Sequence, residues 1–398
     1  MTIERLDELQ LELGRLARPY APSDVAAALH RLGMVVTDQS MLQALEALRR
    51  GSTGAGPLED LLHEDRVSDV VVNGARDVFV DRGAGLERAG VVFVDDEQVR
   101  RLAVRLAAAA GRRLDDAQPF VDGRLPDGTR LHAVLSPVAS PGTCISLRVP
   151  ARSRPSLEQL LANDSVSDLG LDLLDAIVVR RVPFLISGGT GAGKTTLLGA
   201  LLSRVPADER IVVVEDSREL DPNHPHCLSL EGRQPNAEGM GGISLTLLVR
   251  QALRMRPDRV VLGEVRGGEL VDLLAALNTG HEGGCGTVHA NSLADVPARL
   301  EALAVLGGLD RAACHAQVAS ALRVDIHVAR ARGGARYVAG LGVFRRGPDQ
   351  LVEVVPAVEF VEGRPVLGPG AEELGRLTGL RLWTETSTIQ QPRRMAAA

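Results

Sequence analysis

The stretch LISGGTGAGKTTLL, residues 185–198, decides the fold of this chain. It contains Gly188, four further residues and then Gly193-Lys194-Thr195, which is a complete Walker A pattern for phosphate binding. An apolar run typical of a strand precedes it and an apolar helical pattern follows it, and this context separates a phosphate loop from a chance glycine-rich turn. The sequence therefore predicts a nucleotide-binding α/β domain.

The residue types in this loop match the chemistry of phosphate binding. Glycines let backbone N–H groups turn toward phosphates, and the start of the following helix adds the positive end of its dipole. Lys194 is expected to reach the β- and γ-phosphates and Thr195 to ligate Mg²⁺. Lys194 is also the single lysine among the 45 Lys+Arg residues, which indicates a site that needs a compact ammonium. The predicted nucleotide-binding residues here are Gly188, Gly189, Thr190, Gly191, Ala192, Gly193, Lys194, Thr195 and Thr196.

Beyond about residue 160, strands and helices alternate, which predicts an α/β fold with a parallel sheet. We expect strands at 183–187, 210–216, 259–264 and 285–290, and helices at 194–204, 244–254, 268–278 and 294–305. After about residue 324 the strand-rich sequence predicts antiparallel hairpins.

Two of these strands end in acidic residues. VVLGE (260–264) has the form of a Walker B strand, so Glu264 is expected to hold the Mg²⁺ shell or polarise the attacking water. VVVED (212–216) ends in Glu215 and Asp216. Because the carboxyl ends of parallel strands line the edge that carries the phosphate loop, these carboxylates should converge there. A helix cap made by Asp216 or Ser217 is the alternative.

The segment NTGHEGGCGTVHANS (278–292) admits two interpretations. His281 opens like the zinc motif HExxH, but Cys285 stands where the second histidine belongs, and the glycines after Glu282 disfavour a helix. CGTVHA instead indicates a strand that would bring His289 to the same sheet edge as Glu264. We therefore expect both histidines to serve the γ-phosphate, with zinc binding as the alternative.

Arginines form the other informative class. Arg266 follows the Walker B acid by two residues, which favours a role in the site or in an interface. Arginines between 250 and 259 are typical of a solvated basic face. A domain without a catalytic signature of its own can still supply an arginine to a phosphate site.

Length and composition set the outer limits. A chain of 398 residues predicts two domains, and 45% apolar with 24% charged residues is typical of a soluble globular protein. No run approaches the ~18 apolar residues of a membrane helix, and the N-terminus lacks a signal-peptide core, which predicts a cytoplasmic protein that could dock on a membrane partner. A net charge of −6 and 2% aromatics count against nucleic acid as the main partner. The four cysteines show no CxxC pairing and are expected to be free thiols.

The sequence also divides into segments. The predicted boundaries are a helical N-terminal extension at 1–50, an α/β domain at 57–150, a linker at 151–160, the phosphate-loop domain with C-terminal hairpins at 161–368, and a tail at 369–398.

Four segments in order resemble the boxes of one superfamily. GGTGAGKTT, VVVEDSREL, LRMRPDRVVLGEVRGGE and TGHEGGCGTVHANS are similar to the Walker A, Asp, Walker B and His boxes of the type II/IV secretion ATPases, which also serve pilus extension and conjugation. The chain is most similar to the tight-adherence (Tad/Flp) pilus-assembly branch. The resemblance covers about residues 57–330.

The resemblance implies a RecA-like P-loop NTPase domain and a smaller PAS-like N-terminal domain. It also implies ATP and Mg²⁺ as cofactors and a ring, usually hexameric. ATP hydrolysis would drive pilin assembly or protein export through polytopic inner-membrane platform proteins at the cytoplasmic face of the membrane. A conjugation-type DNA-transfer ATPase and a non-hydrolysing scaffold are the alternatives.

Residue roles follow from the same resemblance. Glu264 would be the general base, and Glu215 would help to order Mg²⁺ or water. His281 and His289 would lie near the γ-phosphate. Arg130 and Arg148 of the N-terminal domain would reach the nucleotide, and Arg233 would act on a neighbouring subunit.

Overall fold

The computed structural model describes residues 8–9, 12–13, 21–34, 36–38, 40–42, 44–45, 54–83, 85–150, 154–233, 235, 240–280, 283–331 and 333–382. The chain divides into two compact units, Met1–Arg152 and Ser153–Ala398, and each has its own hydrophobic core. Across the described ranges, no helix has the length and apolarity needed to span a membrane.

The first unit is built around an antiparallel sheet. Its described helices are α1 (Pro22–Arg31), α2 (Glu59–His63) and α3 (Asp96–Ala109), and its strands are β1 (Asp69–Asn73), β2 (Asp77–Asp81), β3 (Leu86–Arg88), β4 (Phe120–Arg124), β5 (Arg130–Val134) and β6 (Cys144–Arg148). The strand order is β3-β2-β1-β6-β5-β4. Alternate residues of β1 and β2 are buried, which gives the sheet one core face.

The second unit holds the phosphate loop. Its described helices are α4 (Leu157–Ala162), α5 (Asp168–Val179), α6 (Lys194–Leu202), α7 (Leu245–Ala252), α8 (Glu269–Asn278), α9 (Val296–Leu306), α10 (Arg311–Ala321) and α11 (Ala371–Thr378). Its strands are β7 (Phe184–Gly188), β8 (Ile211–Glu215), β9 (Cys227–Glu231), β10 (Arg259–Leu262), β11 (Cys285–Val288), β12 (Val324–Arg330), β13 (Arg336–Arg346), β14 (Val352–Val361) and β15 (Arg364–Leu367).

These nine strands form one sheet in the order β15-β14-β13-β12-β7-β11-β10-β8-β9. From β12 to β9 neighbouring strands run parallel, whereas β12 to β15 pair in antiparallel fashion. Every residue of β7, β8, β10 and β11 is buried, because helices cover both faces of the sheet. The predicted α/β fold with a parallel sheet is confirmed.

Three segments differ from the sequence-based expectation. β12 pairs with β13 as a hairpin, but it also pairs in parallel with β7 and so extends the parallel sheet. Helix α4 overlaps the predicted linker, because Ser156 and Gln159 form a capping box that starts a helix there. Helix α11 lies in the predicted tail and buries Leu374 completely in the core.

Candidate functional site

The phosphate loop joins β7 to α6 and depends on glycine at three positions. Gly188, Gly191 and Gly193 have φ values of +153°, +69° and +97°. A Cβ on Gly188 would stand 2.4 Å from the backbone oxygen of Val328, so a side chain does not fit there. Gly193 is the N-cap of α6. The loop backbone therefore ends at a helix N-terminus, as a phosphate cradle requires.

Lys194 begins α6 and lies within the loop. Its side chain is 7% exposed, and Nζ donates hydrogen bonds to the carbonyls of Gly188 and Gly189, both at 2.9 Å. Burial lowers the pKa of this ammonium. Thr195 and Thr196 are partly buried on the first helical turn. The residues of the loop that are predicted to bind nucleotide, Gly188 to Thr196, thus run without a break from the end of β7 into the first turn of α6.

His289 lies between the lysine and the Walker B acid. Its Nδ1 is 3.4 Å from Lys194 Nζ, and its Nε2 is 2.9 Å from Glu264 Oε1. The contact with Glu264 lacks hydrogen-bond alignment, since Oε1 has no hydrogen-bond partner among the described residues. Burial and the nearby Lys194 lower the pKa of His289, so the ring is neutral at neutral pH. A neutral ring can accept from Lys194 at Nδ1 and keep its proton on Nε2.

Arg266 completes this group. Its Nη2 donates to Glu264 Oε2 at 2.6 Å, and its Nη1 lies 3.9 Å from Asp216 Oδ2. The hydrogen bond to Glu264 raises the pKa of Arg266. Arg266 thus holds one oxygen of Glu264, while the other faces His289.

Glu215 is a buried carboxylate at the end of β8. Its Oε1 accepts backbone N–H groups of Glu219 at 3.1 Å and Leu220 at 3.0 Å. Its Oε2 is buried and has no hydrogen-bond partner in the described part of the chain. Burial raises the pKa of Glu215 to about 7. Glu215 therefore stabilises the turn after β8.

These residues fit a magnesium nucleotide. Mg²⁺ is usually bound by one or two carboxylates together with substrate phosphates. Glu215 Oε2 and Glu264 Oε1 are two carboxylate oxygens without hydrogen-bond partners within the described ranges, and the glycine loop supplies the phosphate cradle. The described residues contain no cluster of three or more His, Cys, Asp or Glu that could hold a metal by itself.

The remaining residues of the histidine-rich segment are separated. His281 and Glu282 lie outside the described residues. Cys285 is fully buried at the start of β11, and burial raises the pKa of its thiol to about 12. His289 follows the other end of the strand, about 13 Å away at the usual rise per residue. Cys285 and His289 therefore do not converge on a zinc ion.

The predicted arginines of the first unit form a row. Arg130 lies directly opposite both Arg124 and Arg148 on the neighbouring strands, and Arg148 lies opposite Asp69. In the second unit, Arg233 donates from Nε to the carbonyl of Gly241 at 2.6 Å.

Two features of the second unit carry no local sequence signal. Ser187, Asp325 and His327 form a hydrogen-bonded cluster beside the phosphate loop, although 138 residues separate Ser187 from Asp325. Two arginines of the β12–β13 hairpin border the loop. Arg336 Cδ is 3.3 Å from the position of a Cβ on Gly193, and Arg330 Nη1 is 3.7 Å from that on Gly191.

Comparison with known proteins agrees with this geometry. Residues 51–331 match the family model described as type II/IV secretion system protein. A Mycobacterium tuberculosis protein named "Putative conjugal transfer protein" is 55% identical over 323 residues, which are 80% of this chain and 92% of the relative. The type IV secretion system protein VirB11 of Brucella suis is 31% identical over 262 residues, 59% of this chain and 72% of VirB11.

Solved structures show the same fold at low identity. The Yersinia pseudotuberculosis ATPase DotB aligns with a TM-score of 0.51 and 15% identity, covering 92% of this chain and 87% of DotB. The pilus retraction motor PilT with bound ADP aligns with a TM-score of 0.50 and 18% identity, covering 78% of this chain and 82% of PilT. From the family match and the sequence relatives, the chain belongs to the type II/IV secretion system protein family.

Proposed function

We propose that this chain is a Mg²⁺-dependent ATPase that works as the motor of a secretion or pilus-assembly system. The observation that carries the proposal is the line of contacts from Lys194 through His289 to Glu264 at the phosphate loop. A lysine in the phosphate loop and a carboxylate that can position water are groups that phosphoryl transfer to water uses, and His289 lies between them.

Each group has a distinct task in this proposal. Lys194 neutralises phosphate charge, and the Thr195 hydroxyl with Glu215 and Glu264 would hold the Mg²⁺ shell. When bound, Mg²⁺ supplies a Lewis acid that neutralises charge developing on the phosphates. Glu264 Oε1 orients and polarises the attacking water. His289 keeps the proton on Nε2 beside Glu264, and Arg266 fixes the other oxygen of that carboxylate.

The substitution Lys194→Ala tests the proposed reaction. We expect phosphate release from ATP to fall at least about 100-fold, because the ammonium acts on the charge that develops in the transition state. Arg364→Ala, which removes an exposed charge on β15, is the control and should hydrolyse ATP at the normal rate. Normal hydrolysis by Lys194→Ala would overturn the proposal.

The motor is proposed to act as a ring, with a hexamer as the expected form. Arg130 and Arg148 would reach the nucleotide within a subunit, and Arg233 would act on a neighbouring one. Sedimentation of the protein with and without ATP, with specific activity measured over protein concentration, tests this. Specific activity should rise with assembly, and a fully active monomer would contradict the ring.

The partners proposed for this motor are polytopic platform proteins of the inner membrane, with the chain at the cytoplasmic face. Support comes from the resemblance of its four sequence boxes to those of the pilus-assembly ATPases. Co-purification with membrane proteins encoded nearby tests this step, and pilin genes beside them would favour pilus assembly.

A DNA-transfer motor is the second candidate. It is favoured by the names of the relatives, since one 55% identical protein and the 30% identical TrbB of Rhizobium radiobacter are both called conjugal transfer proteins. The net charge of −6 and the 2% aromatic content count against tracking along single strands. Stimulation of ATP hydrolysis by DNA would favour this candidate, and its absence would favour the protein motor.

A further inference from the structure

A buried polar cluster lies directly behind the phosphate loop. Ser187 on β7 and His327 on the adjacent β12 are register partners. Ser187 Oγ is 2.5 Å from Asp325 Oδ2 and 2.8 Å from His327 Nδ1. Ser187 and Asp325 are fully buried. Three polar side chains thus meet in a layer that is otherwise apolar.

Hydrogen-bond counting limits the arrangement of protons in this cluster. The hydroxyl of Ser187 has one hydrogen, so it cannot donate to both neighbours. If it donates to Asp325, His327 Nδ1 must carry a proton; if it donates to His327, Asp325 must carry one. The first arrangement pairs an ionised Asp325 with a histidine that donates from Nδ1, and the second pairs a protonated Asp325 with a neutral histidine that accepts at Nδ1. Burial raises the pKa of Asp325 to about 7 and lowers that of His327, so a neutral pair is favoured.

The cluster connects the two sides of the candidate site. On one side, Ser187 immediately precedes Gly188, whose carbonyl accepts from Lys194. On the other side, the backbone of Asn291, two residues after His289, acts on the His327 ring and raises its pKa against the effect of burial. The contact between Lys194 and His289 then closes a ring of interactions.

We propose that Ser187, Asp325 and His327 form a buried hydrogen-bond relay that sets the position of His289 relative to Lys194. This role rests on the proposed ATP hydrolysis, in which His289 and Lys194 act on the phosphates. The three side chains are positioning residues, because they contact the loop and the histidine segment rather than the reacting atoms. Their hydrogen bonds add to the backbone pairing of β7 with β11, in which Ser187 lies opposite Val288.

Kinetics of Ser187→Ala separate this role from a purely structural one. We expect kcat to fall about 10-fold, the scale of other supporting hydrogen bonds, while ADP affinity changes less than about twofold. Ser187→Thr keeps the hydroxyl and should restore most of the rate. Thr378→Val removes another buried hydroxyl, one that donates to Leu374 within α11, and should leave the rate unchanged.

A double-mutant cycle with His289→Ala tests whether the cluster acts through His289. If it does, Ser187→Ala should cost less than about twofold in the His289→Ala background, because the residue it positions is already absent. An undiminished 10-fold loss in that background would overturn the proposal. Loss of kcat with an equal loss of folded protein, and no rescue by threonine, would also overturn it.

A measurement without ATP keeps the relay testable if the proposed hydrolysis fails. Histidine side-chain nitrogen NMR, assigned with His289→Gln and His327→Gln, reports the tautomer and environment of each ring. Ser187→Ala should shift the His289 signals although Ser187 does not contact that ring, whereas Thr378→Val should not. Unmoved His289 signals would overturn the relay, and a wild-type protein without ATPase activity would overturn the proposed function alone.

Discussion

The position of the Glu215 side chain depends on a neighbouring glycine, Gly263. A Cβ on Gly263 would stand 2.5 Å from Glu215 Cγ and 2.9 Å from its Oε1. Glycine after β10 therefore leaves the space that the Glu215 side chain fills. This arrangement leaves Glu215 Oε2 buried without a hydrogen-bond partner among the described residues, which costs stability. Such an oxygen is ready for a cation or a water.

The substitution Gly263→Ala should displace Glu215 without altering any charge. We expect ATP hydrolysis to fall about 10-fold or more and the dependence on Mg²⁺ concentration to shift upward, because the carboxylate loses its position. Steady-state rates over a Mg²⁺ titration measure both. Gly90→Ala, where a Cβ meets nothing within 4 Å, is the control. Unchanged Mg²⁺ dependence in Gly263→Ala would show that Glu215 does not serve the metal.

Burial of Asp325 should make the stability of the folded protein depend on pH. Its pKa is raised by burial from the unfolded value of 3.8 to about 7, so the folded state holds the proton more tightly than the unfolded chain. Stability from this group is present below about pH 4 and is lost as pH rises toward 7. The substitution Asp325→Asn removes the ionisable group and therefore this loss of stability with rising pH.

The stability advantage of Asp325→Asn over the wild type should therefore increase between pH 4 and 7, by about 2 to 4 kcal/mol. Urea unfolding followed by circular dichroism at several pH values measures the difference. Asp208→Asn, an exposed carboxylate, should show no such trend. A difference that is constant with pH would mean that Asp325 is ionised throughout.

Elements divide into those that local sequence predicts and those that it does not. The β7–loop–α6 unit could be predicted in detail, because the glycines, Lys194 and the following helix all lie within 14 neighbouring residues. The parallel pairing of β12 with β7 could not, because it joins residues far apart in the chain. The cluster of Ser187 with His327 depends on that pairing and was missed for the same reason. Helix α11 was missed because its buried face is short and lies among residues without a clear pattern.

The β12–β13 hairpin contributes charge to the loop as well as strands to the sheet. Arg336 borders Gly193 from this hairpin. We expect Arg336→Ala to weaken nucleotide binding about 3- to 10-fold, because an exposed cation next to bound phosphates contributes on the order of 1 kcal/mol. Calorimetric titration with ADP measures the affinity, and the effect should shrink at high salt. Arg364→Ala on the next hairpin should bind normally. Equal affinities for both variants would remove Arg336 from the site.

At the scale of the whole molecule, the two units contain sheets that are buried in different ways. The second unit has a sheet buried on both faces, which fixes the phosphate loop, Glu264 and His289 rigidly at one edge. The first unit has one core face and a row of arginines formed by Arg124, Arg130 and Arg148. Asp69 lies opposite Arg148 at the end of this row, so the row contains charges of both signs. We expect Arg130 and Arg148 of this row to bind the nucleotide phosphates, as the resemblance to the secretion ATPases implies.

The substitution Arg148→Ala should affect activity much more than stability. Arg148 is exposed, so its removal should change the melting temperature of the protein little. ATP hydrolysis should fall by a factor on the order of 10² or more, the scale expected for an arginine that stabilises phosphoryl transfer. Thermal unfolding and phosphate release from the same preparations measure the two effects, with Arg101→Ala on the exposed side of α3 as the control. A large drop in melting temperature would assign Arg148 to the fold, because Asp69, its opposite neighbour, would then be its main partner. Full activity in a stable Arg148→Ala protein would instead remove Arg148 from the site and leave Arg130, Arg233, Arg266 and Arg336 as the remaining candidates.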